Sequence, residues 1–161
     1  MQINIPSSRV PVLIGEKGKT KRLIEKLTKS KLNISSNGNV TIISENPKSR
    51  DIVEAIGRGF NPKIAIKLTS EDFIFDLIEM NDFSKNKLRQ STLRSRIIGR
   101  KGSAKKMIET YTNTDISIMG KTISFIGKVE DVYLARRTIE MILQGSQHGS
   151  VYRWLKDQIK D

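Results

Sequence analysis

A chain of 161 residues, 37% hydrophobic and 29% charged, is suited to one ordinary folded domain or two small ones, and its composition excludes a disordered polymer. The absence of cysteine removes disulfides, thiolate nucleophiles and cysteine-based zinc sites together, and only one histidine remains. The formal net charge of +12 leaves two readings, a polyanionic partner or a lysine-rich solubilising surface.

From the N-terminus, Gln2-Ile3-Asn4-Ile5 alternates polar and apolar residues and predicts a short half-buried strand. Ser7 or Ser8 can cap a short helix through Val12, Leu13 and Ile14, with Pro11 tolerable in its first turn. A Gly15–Gly18 turn follows. Leu23, Ile24 and Leu27 then recur at helical spacing within 19–30 and are expected to face a core. Leu32 and Ile34 alternate with polar neighbours, Asn37-Gly38 signals a hairpin, and Val40, Ile42 and Ile43 supply the returning strand. After Asn46-Pro47, a helix from about Lys48 carries Ile52, Val53 and Ile56 inward.

Asn61-Pro62 has the form of a cap and first turn, predicting a short linking helix over 63–68. Phe73-Ile74-Phe75-Asp76-Leu77-Ile78 is rich in aromatic and β-branched residues and predicts a strand. A polar loop is expected over 81–90. Ser91 or Thr92 then opens a helix through Leu93, Ile97 and Ile98 to a second turn at Gly99–Gly102. A helix over 103–111 presents Met107, Ile108 and Tyr111. Ile116 and Ile118 form a strand, Gly120-Lys121 turns the chain, and Ile123, Phe125 and Ile126 return. A helix over 129–143 faces Val132, Ala135, Ile139 and Ile142 to the core. After a small-residue break around His148, Val151, Trp154, Leu155 and Ile159 make one face of a C-terminal helix capped by Ser150. Such a short helix is unstable alone, so it either docks on the module before it or reserves its Trp154 face for a partner.

The order β-α-turn-α-β-β-α therefore occurs twice. Leu13-Ile14-Gly15-Glu16-Lys17-Gly18 stands 84 positions before Ile97-Ile98-Gly99-Arg100-Lys101-Gly102. Two glycines three apart allow a sharp turn and the close approach of another backbone. With cations beside them and a helix starting behind, such a turn suits a phosphate chain. The charge follows the repeats. Residues 1–61 hold 11 Lys/Arg against 5 Asp/Glu, residues 62–90 hold 5 against 5, and residues 91–161 hold 13 against 7.

The doubled element order with an Ile-Gly-x-x-Gly core resembles two tandem type I KH domains, an α+β fold with a short C-terminal helix. The expected boundaries are 1–61 for the first KH domain, 62–70 for the linking helix, 71–145 for the second and 146–161 for the C-terminal extension. The segments Val10-Pro11-Val12-Leu13-Ile14-Gly15, Arg96-Ile97-Ile98-Gly99-Arg100-Lys101-Gly102, Met119-Gly120-Lys121-Thr122-Ile123 and Gly145-Ser146-Gln147-His148-Gly149-Ser150-Val151-Tyr152 carry a closer likeness. They resemble the archaeal two-KH-domain factor of small ribosomal subunit assembly, the family of the partner of the Nob endonuclease. That resemblance implies binding of single-stranded RNA near the 3′ end of small-subunit (16S) rRNA. It also implies rRNA processing beside the Nob-type endonuclease and contact with the alpha subunit of translation initiation factor two.

A KH module holds about four nucleotides, its loop clamping the backbone and an adjacent groove taking the bases. The resemblance thus implies an RNA site at Ile97, Ile98, Gly99, Arg100, Lys101, Gly102, Ser103, Lys105 and Lys106. Ile116 and Ile118 form its far wall, although either, like Ile98, could equally be core. In the first copy the set is Leu13, Ile14, Gly15, Lys17, Gly18, Lys19, Lys21, Arg22 and Ile34. The first turn, Glu16-Lys17, is neutral where Arg100-Lys101 carries two positive charges, which makes the second copy the expected principal clamp.

With no cysteine, a single histidine and no Walker-type loop, no catalytic residue, metal or cofactor is expected. The acidic cluster Glu71, Asp72, Asp76, Glu79 and Asp82 could collect Mg²⁺ but more naturally flanks a strand and neutralises the linker, or faces a basic partner. Two rival readings remain, a protein adaptor or translation-associated scaffold with one RNA-binding module, and a KH protein of RNA decay or transcription. No apolar run nears the ~20 residues of a membrane span, and Met1–Pro6 does not resemble a signal peptide. A cytoplasmic monomer is the expectation.

Overall fold

Packing divides the chain into two units, Met1–Phe75 and a second beginning at Asp76. The computed structural model describes residues 1–159; Lys160 and Asp161, the end of the expected C-terminal extension, lie outside the described residues. Each unit contains a three-stranded sheet with helices, and the element order is the one that the repeat predicts.

In the first unit, β1 (Gln2–Asn4), β2 (Lys31–Ile34) and β3 (Asn39–Ile43) form an antiparallel sheet of order β1-β3-β2. Register pairs Ile3 with Val40 and Leu32 with Ile42, so alternate residues of all three strands enter one core. Helices α1 (Val10–Ile14), α2 (Lys19–Thr28) and α3 (Pro47–Gly57) complete that core through Leu13, Ile24, Ile52, Val53 and Ile56. Asn46 caps α3 by accepting from the Lys48 amide, as Asn61 caps α4 (Pro62–Ala65) by accepting from the Lys63 amide. The α4 segment and the 3-10 turn behind it pack on α3 through Ala65 and Leu68.

Two expectations for this unit need correction. The serines at 7 and 8 do not cap α1; they form a 3-10 turn running into it, with no side-chain bond at the cap. Leu23 and Leu27 do not face the core but are 41% and 44% exposed. Ile24 and Thr28, four apart, take the inward stripe, and the Thr28 hydroxyl satisfies itself by donating to the Ile24 carbonyl at 2.7 Å.

The sheet is repeated by β4 (Phe73–Glu79), whose first three residues precede the Asp76 division, with β5 (Asp115–Met119) and β6 (Thr122–Lys128) in the order β4-β6-β5. The helices of the second unit are α5 (Lys87–Ile98), α6 (Ser103–Thr112), α7 (Val129–Leu143) and α8 (His148–Ile159). Helix α5 begins four residues before Ser91. Asn86 is its cap, accepting from the Arg89 amide at 2.9 Å, so the last four residues of the expected polar loop, 87–90, belong to α5. Likewise α8 starts at His148 and Ser150 lies within it. The choice left open for α8 resolves toward docking: Val151 and Leu155 are buried against α6 and α7, while Trp154 is half-buried. Lys156 sits 5.9 Å above the ring of Tyr111 on α6.

Leu155 is fully buried at this contact and Trp154, the sole tryptophan, lies beside it. Leu155→Ala is expected to destabilise the second unit by about 2–5 kcal/mol, read by Trp154 fluorescence in urea. Leu23→Ala, at an exposed position of the other unit, should leave that transition unchanged.

Candidate nucleic-acid interface

Each Gly-x-x-Gly turn is built the same way to within a few degrees. Gly15 adopts φ 76°, ψ 174°, and Gly99 adopts φ 76°, ψ 177°. Lys17 and Lys101, neither a glycine, lie in the left-handed region at φ 54° and 55°. Gly18 and Gly102 follow at φ 76°. The Gly15 amide donates to the Pro11 carbonyl at 2.8 Å and closes α1, and the Gly99 amide closes α5 by donating to the Ser95 carbonyl at 2.8 Å. A Cβ on Gly99 would lie 2.6 Å from the Ala104 methyl and 2.8 Å from its amide nitrogen, so the first turn of α6 can sit where it does only behind a glycine. A Cβ on Gly102 would meet nothing, which leaves the outer side of the turn open.

The structure sorts the expected site residues by the helix face they occupy. Leu13 and Ile97 are fully buried and Ile116 nearly so; these three belong to the cores and not to a groove wall. Their neighbours Ile14 and Ile98 are half-exposed at the mouth of each turn, as are Ile34 and Ile118 on the facing strands. Of each apolar pair, the first residue anchors the helix and the second borders the groove.

In the first unit the groove is a cavity of about 380 Å³ lined by Ile14, Gly18, Lys21, Arg22 and Ile34. All five are residues singled out in the sequence. The Arg22 guanidinium reaches back to within 2.9 Å of the space beside Gly18, so a cation stands at this turn although Glu16-Lys17 is neutral. At the matching place in the second unit, Arg100 and Lys101 are both exposed, with Ser103 and Lys106 exposed behind them. Lys105 is partly engaged, its Nζ 3.4 Å from Glu109 Oε1, a surface pair of small energetic weight. Lys19 is exposed in the first turn of α2.

Glu25 and Glu109 were not singled out in the sequence, yet they hold both grooves in shape. Glu25 Oε2 accepts from the Leu32 amide at 2.8 Å, and Glu109 Oε2 accepts from the Ile116 amide at 2.9 Å. Each ties the helix behind the turn to the strand that forms the opposite wall, two residues before Ile34 or Ile118. Their separation of 84 residues was the available signal. Arg96 was likewise missed as a contact. Its Nη1 donates to the Ile142 carbonyl at 2.9 Å and its Nη2 to the Ser146 carbonyl at 2.6 Å, while its own carbonyl lies 2.8 Å from His148 Nε2. The end of α5 is thus latched to the end of α7 and the start of α8. Burial pushes the phenol of Tyr152, whose ring is 5.7 Å from that of His148, above its ordinary value.

The acidic cluster does not converge. Asp76 accepts from Arg136 at 2.9 Å, and among the described residues no three His, Asp or Glu side chains gather as a metal site. No described helix is long and apolar enough to cross a membrane.

Known proteins carry the same pattern. Residues 74–160 match the family described as a eukaryotic-type KH domain (KH-domain type I), and residues 1–58 match the KH domain. A KH domain-containing protein of Methanocaldococcus jannaschii is 39% identical over 96% of this chain and 71% of its own. The crystal structure of Dim2p from Pyrococcus horikoshii OT3 is 42% identical, covers 98% of both chains and has a TM-score of 0.90. A chain in the a/eIF2alpha–aDim2p–rRNA complex from the same organism, also 42% identical, covers 100% of this chain and 94% of its own with a TM-score of 0.93. The pre-rRNA-processing protein PNO1 of Chaetomium thermophilum is 31% identical over 66% of this chain, which spans 42% of that protein's length.

The two glycines of the second turn should respond differently to a methyl group. Gly102→Ala is expected to cost about 1–2 kcal/mol, the left-handed backbone alone. Gly99→Ala should cost about 1–3 kcal/mol more through overlap with Ala104, measured by urea unfolding of the intact chain.

Proposed function

The chain belongs to the RNA-binding KH-domain family of archaeal Dim2p and eukaryotic PNO1, and from that premise we propose that it clamps single-stranded RNA at the 3′ end of small-subunit rRNA during small-subunit biogenesis. It does so as a binding protein with no chemistry of its own. The observation that carries the reading is the second turn, where Arg100 and Lys101 stand exposed beside Ile98, Lys101 on a left-handed backbone between the two positive-φ glycines. The left-handed backbone lets a sugar-phosphate chain come close, and the two charges draw it in. Ile98 and Ile118 form an apolar cleft for bases, with main-chain groups of β5 available for edge hydrogen bonds.

The rRNA and initiation-factor partners of the Pyrococcus complex support the same assignment for this chain. Contact with the alpha subunit of translation initiation factor two, and work beside a Nob-type endonuclease, belong to this proposal. The first unit has the same turn geometry and a cation supplied by Arg22, so it acts as a second, weaker RNA-holding module. Trp154 and Tyr152 serve packing of α8 and not base stacking.

Arg100→Asp with Lys101→Asp should weaken binding of an oligonucleotide from the 3′ end of small-subunit rRNA by about a hundredfold, since each charge reversal replaces an attraction to phosphate by a repulsion. Glu16 and Lys17 both changed to Asp should cost about tenfold or less. Fluorescence anisotropy gives both values, and circular dichroism checks the fold. Equal losses from the two pairs would overturn the ranking of the modules, and no loss from the first would overturn the clamp.

A further inference from the structure

The helical wall of the second groove does not end at Ile98. Residues that share a helix face recur at steps of three and four, so the face of Ile98 continues backward along α5 through Arg94 and Ser91 to Lys87. Arg94 is half-exposed, and Ser91 and Lys87 are exposed. The spacing of 11 residues carries this face about 16 Å beyond Ile98. The first unit has no counterpart, because α1 is five residues long where α5 is twelve.

One contact fixes where this face lies. Arg94 Nε donates to the Gly120 carbonyl at 3.1 Å. Gly120 is the tip of the β5–β6 hairpin, two residues past Ile118 on the opposite wall. Arg94 thus joins the two walls of the groove at its hairpin end, and Ser91 and Lys87 lie just outside that junction. Charge placement agrees. The first turn of α5 holds Lys87 and Arg89 and no acidic residue, whereas α7 in the same unit opens with Glu130 and Asp131. Cations at a helix N-terminus cost about 0.3–1 kcal/mol each, a cost that a bound polyanion offsets.

We propose that Arg94, Ser91 and Lys87 form a second phosphate-binding stretch that carries a single-stranded RNA past the hairpin end of the groove. The second unit then holds a longer strand than the four or so nucleotides of one KH groove. This rests on the RNA-clamp reading of the second unit and adds a length and a direction to it.

The test uses the full chain and two labelled single-stranded RNAs from the 3′ end of small-subunit rRNA, about four nucleotides long, to fill one groove, and about twelve. The wild type should bind the longer one more tightly, with extension at one end of the strand giving the gain. Lys87→Gln should weaken the longer RNA about three- to tenfold, lower its salt slope by about 0.7 and leave the shorter RNA unaffected. Lys63→Gln, the same charge change on an exposed lysine of α4, should alter neither. Arg94→Gln should weaken both, since it also holds the hairpin tip. If Lys87→Gln leaves the longer RNA's affinity and slope unchanged, or acts no differently from Lys63→Gln, the extension is wrong and the groove stands. If the shorter RNA is insensitive to Arg100→Asp with Lys101→Asp, the clamp reading has failed instead.

Discussion

The turn at each Gly-x-x-Gly depends on three residues held at positive φ, with a lysine in the middle that no steric argument would choose. A non-glycine in the left-handed region costs about 1 kcal/mol or more, and both units accept that cost at the same position. What they obtain is one arrangement: a helix that stops, a backbone that turns outward, and a second helix that starts within four residues. At Gly102 the outer side of that turn is open and a phosphate chain can reach the backbone, whereas at Gly18 the Arg22 guanidinium occupies that side. Glu25 and Glu109 tie the helix behind each turn to the strand that faces it.

The supporting contacts are main-chain bonds made by charged side chains. Glu25 and Glu109 each fix the strand that faces the turn, and Arg9, which donates to the Ile56 and Phe60 carbonyls at 2.8 and 2.9 Å, fixes the end of α3. Arg96 plays the part of Arg9 in the second unit and adds the link to α8 through His148. The C-terminal helix is therefore coupled to the residue that precedes Ile97. Those contacts give the Gly145–Tyr152 segment a structural place behind the second turn.

Much of the fold could be read because the repeat checks itself. Helix α7 begins and ends where its periodicity says, and the Asn-Pro pairs at 46–47 and 61–62 mark their helices. Helix α5 was misread at its start because its cap, Asn86, has no proline after it. Its exposed face also carries Leu88, 80% exposed, so an apolar residue there misleads any count of periodicity. At the site, the glycines and cations could be read, whereas the sorting of Leu13-Ile14 and Ile97-Ile98 into core and groove could not. Adjacent residues on a helix differ by about 100°, and only the packed neighbours decide which one turns inward. Thr28 and Thr112 taking core positions is a second such case, since self-bonding to the preceding turn removes the polar penalty that argues against them.

The central claim is that the two turns share a shape and differ in charge, so that RNA fills the second before the first. Amide chemical shifts of Gly15, Gly18, Gly99 and Gly102, followed by NMR while a single-stranded rRNA fragment is added, test it directly. Gly99 and Gly102 should shift first, and Gly15 and Gly18 only at higher RNA concentration. Simultaneous shifts at all four glycines, or a first response at Gly15 and Gly18, would contradict it.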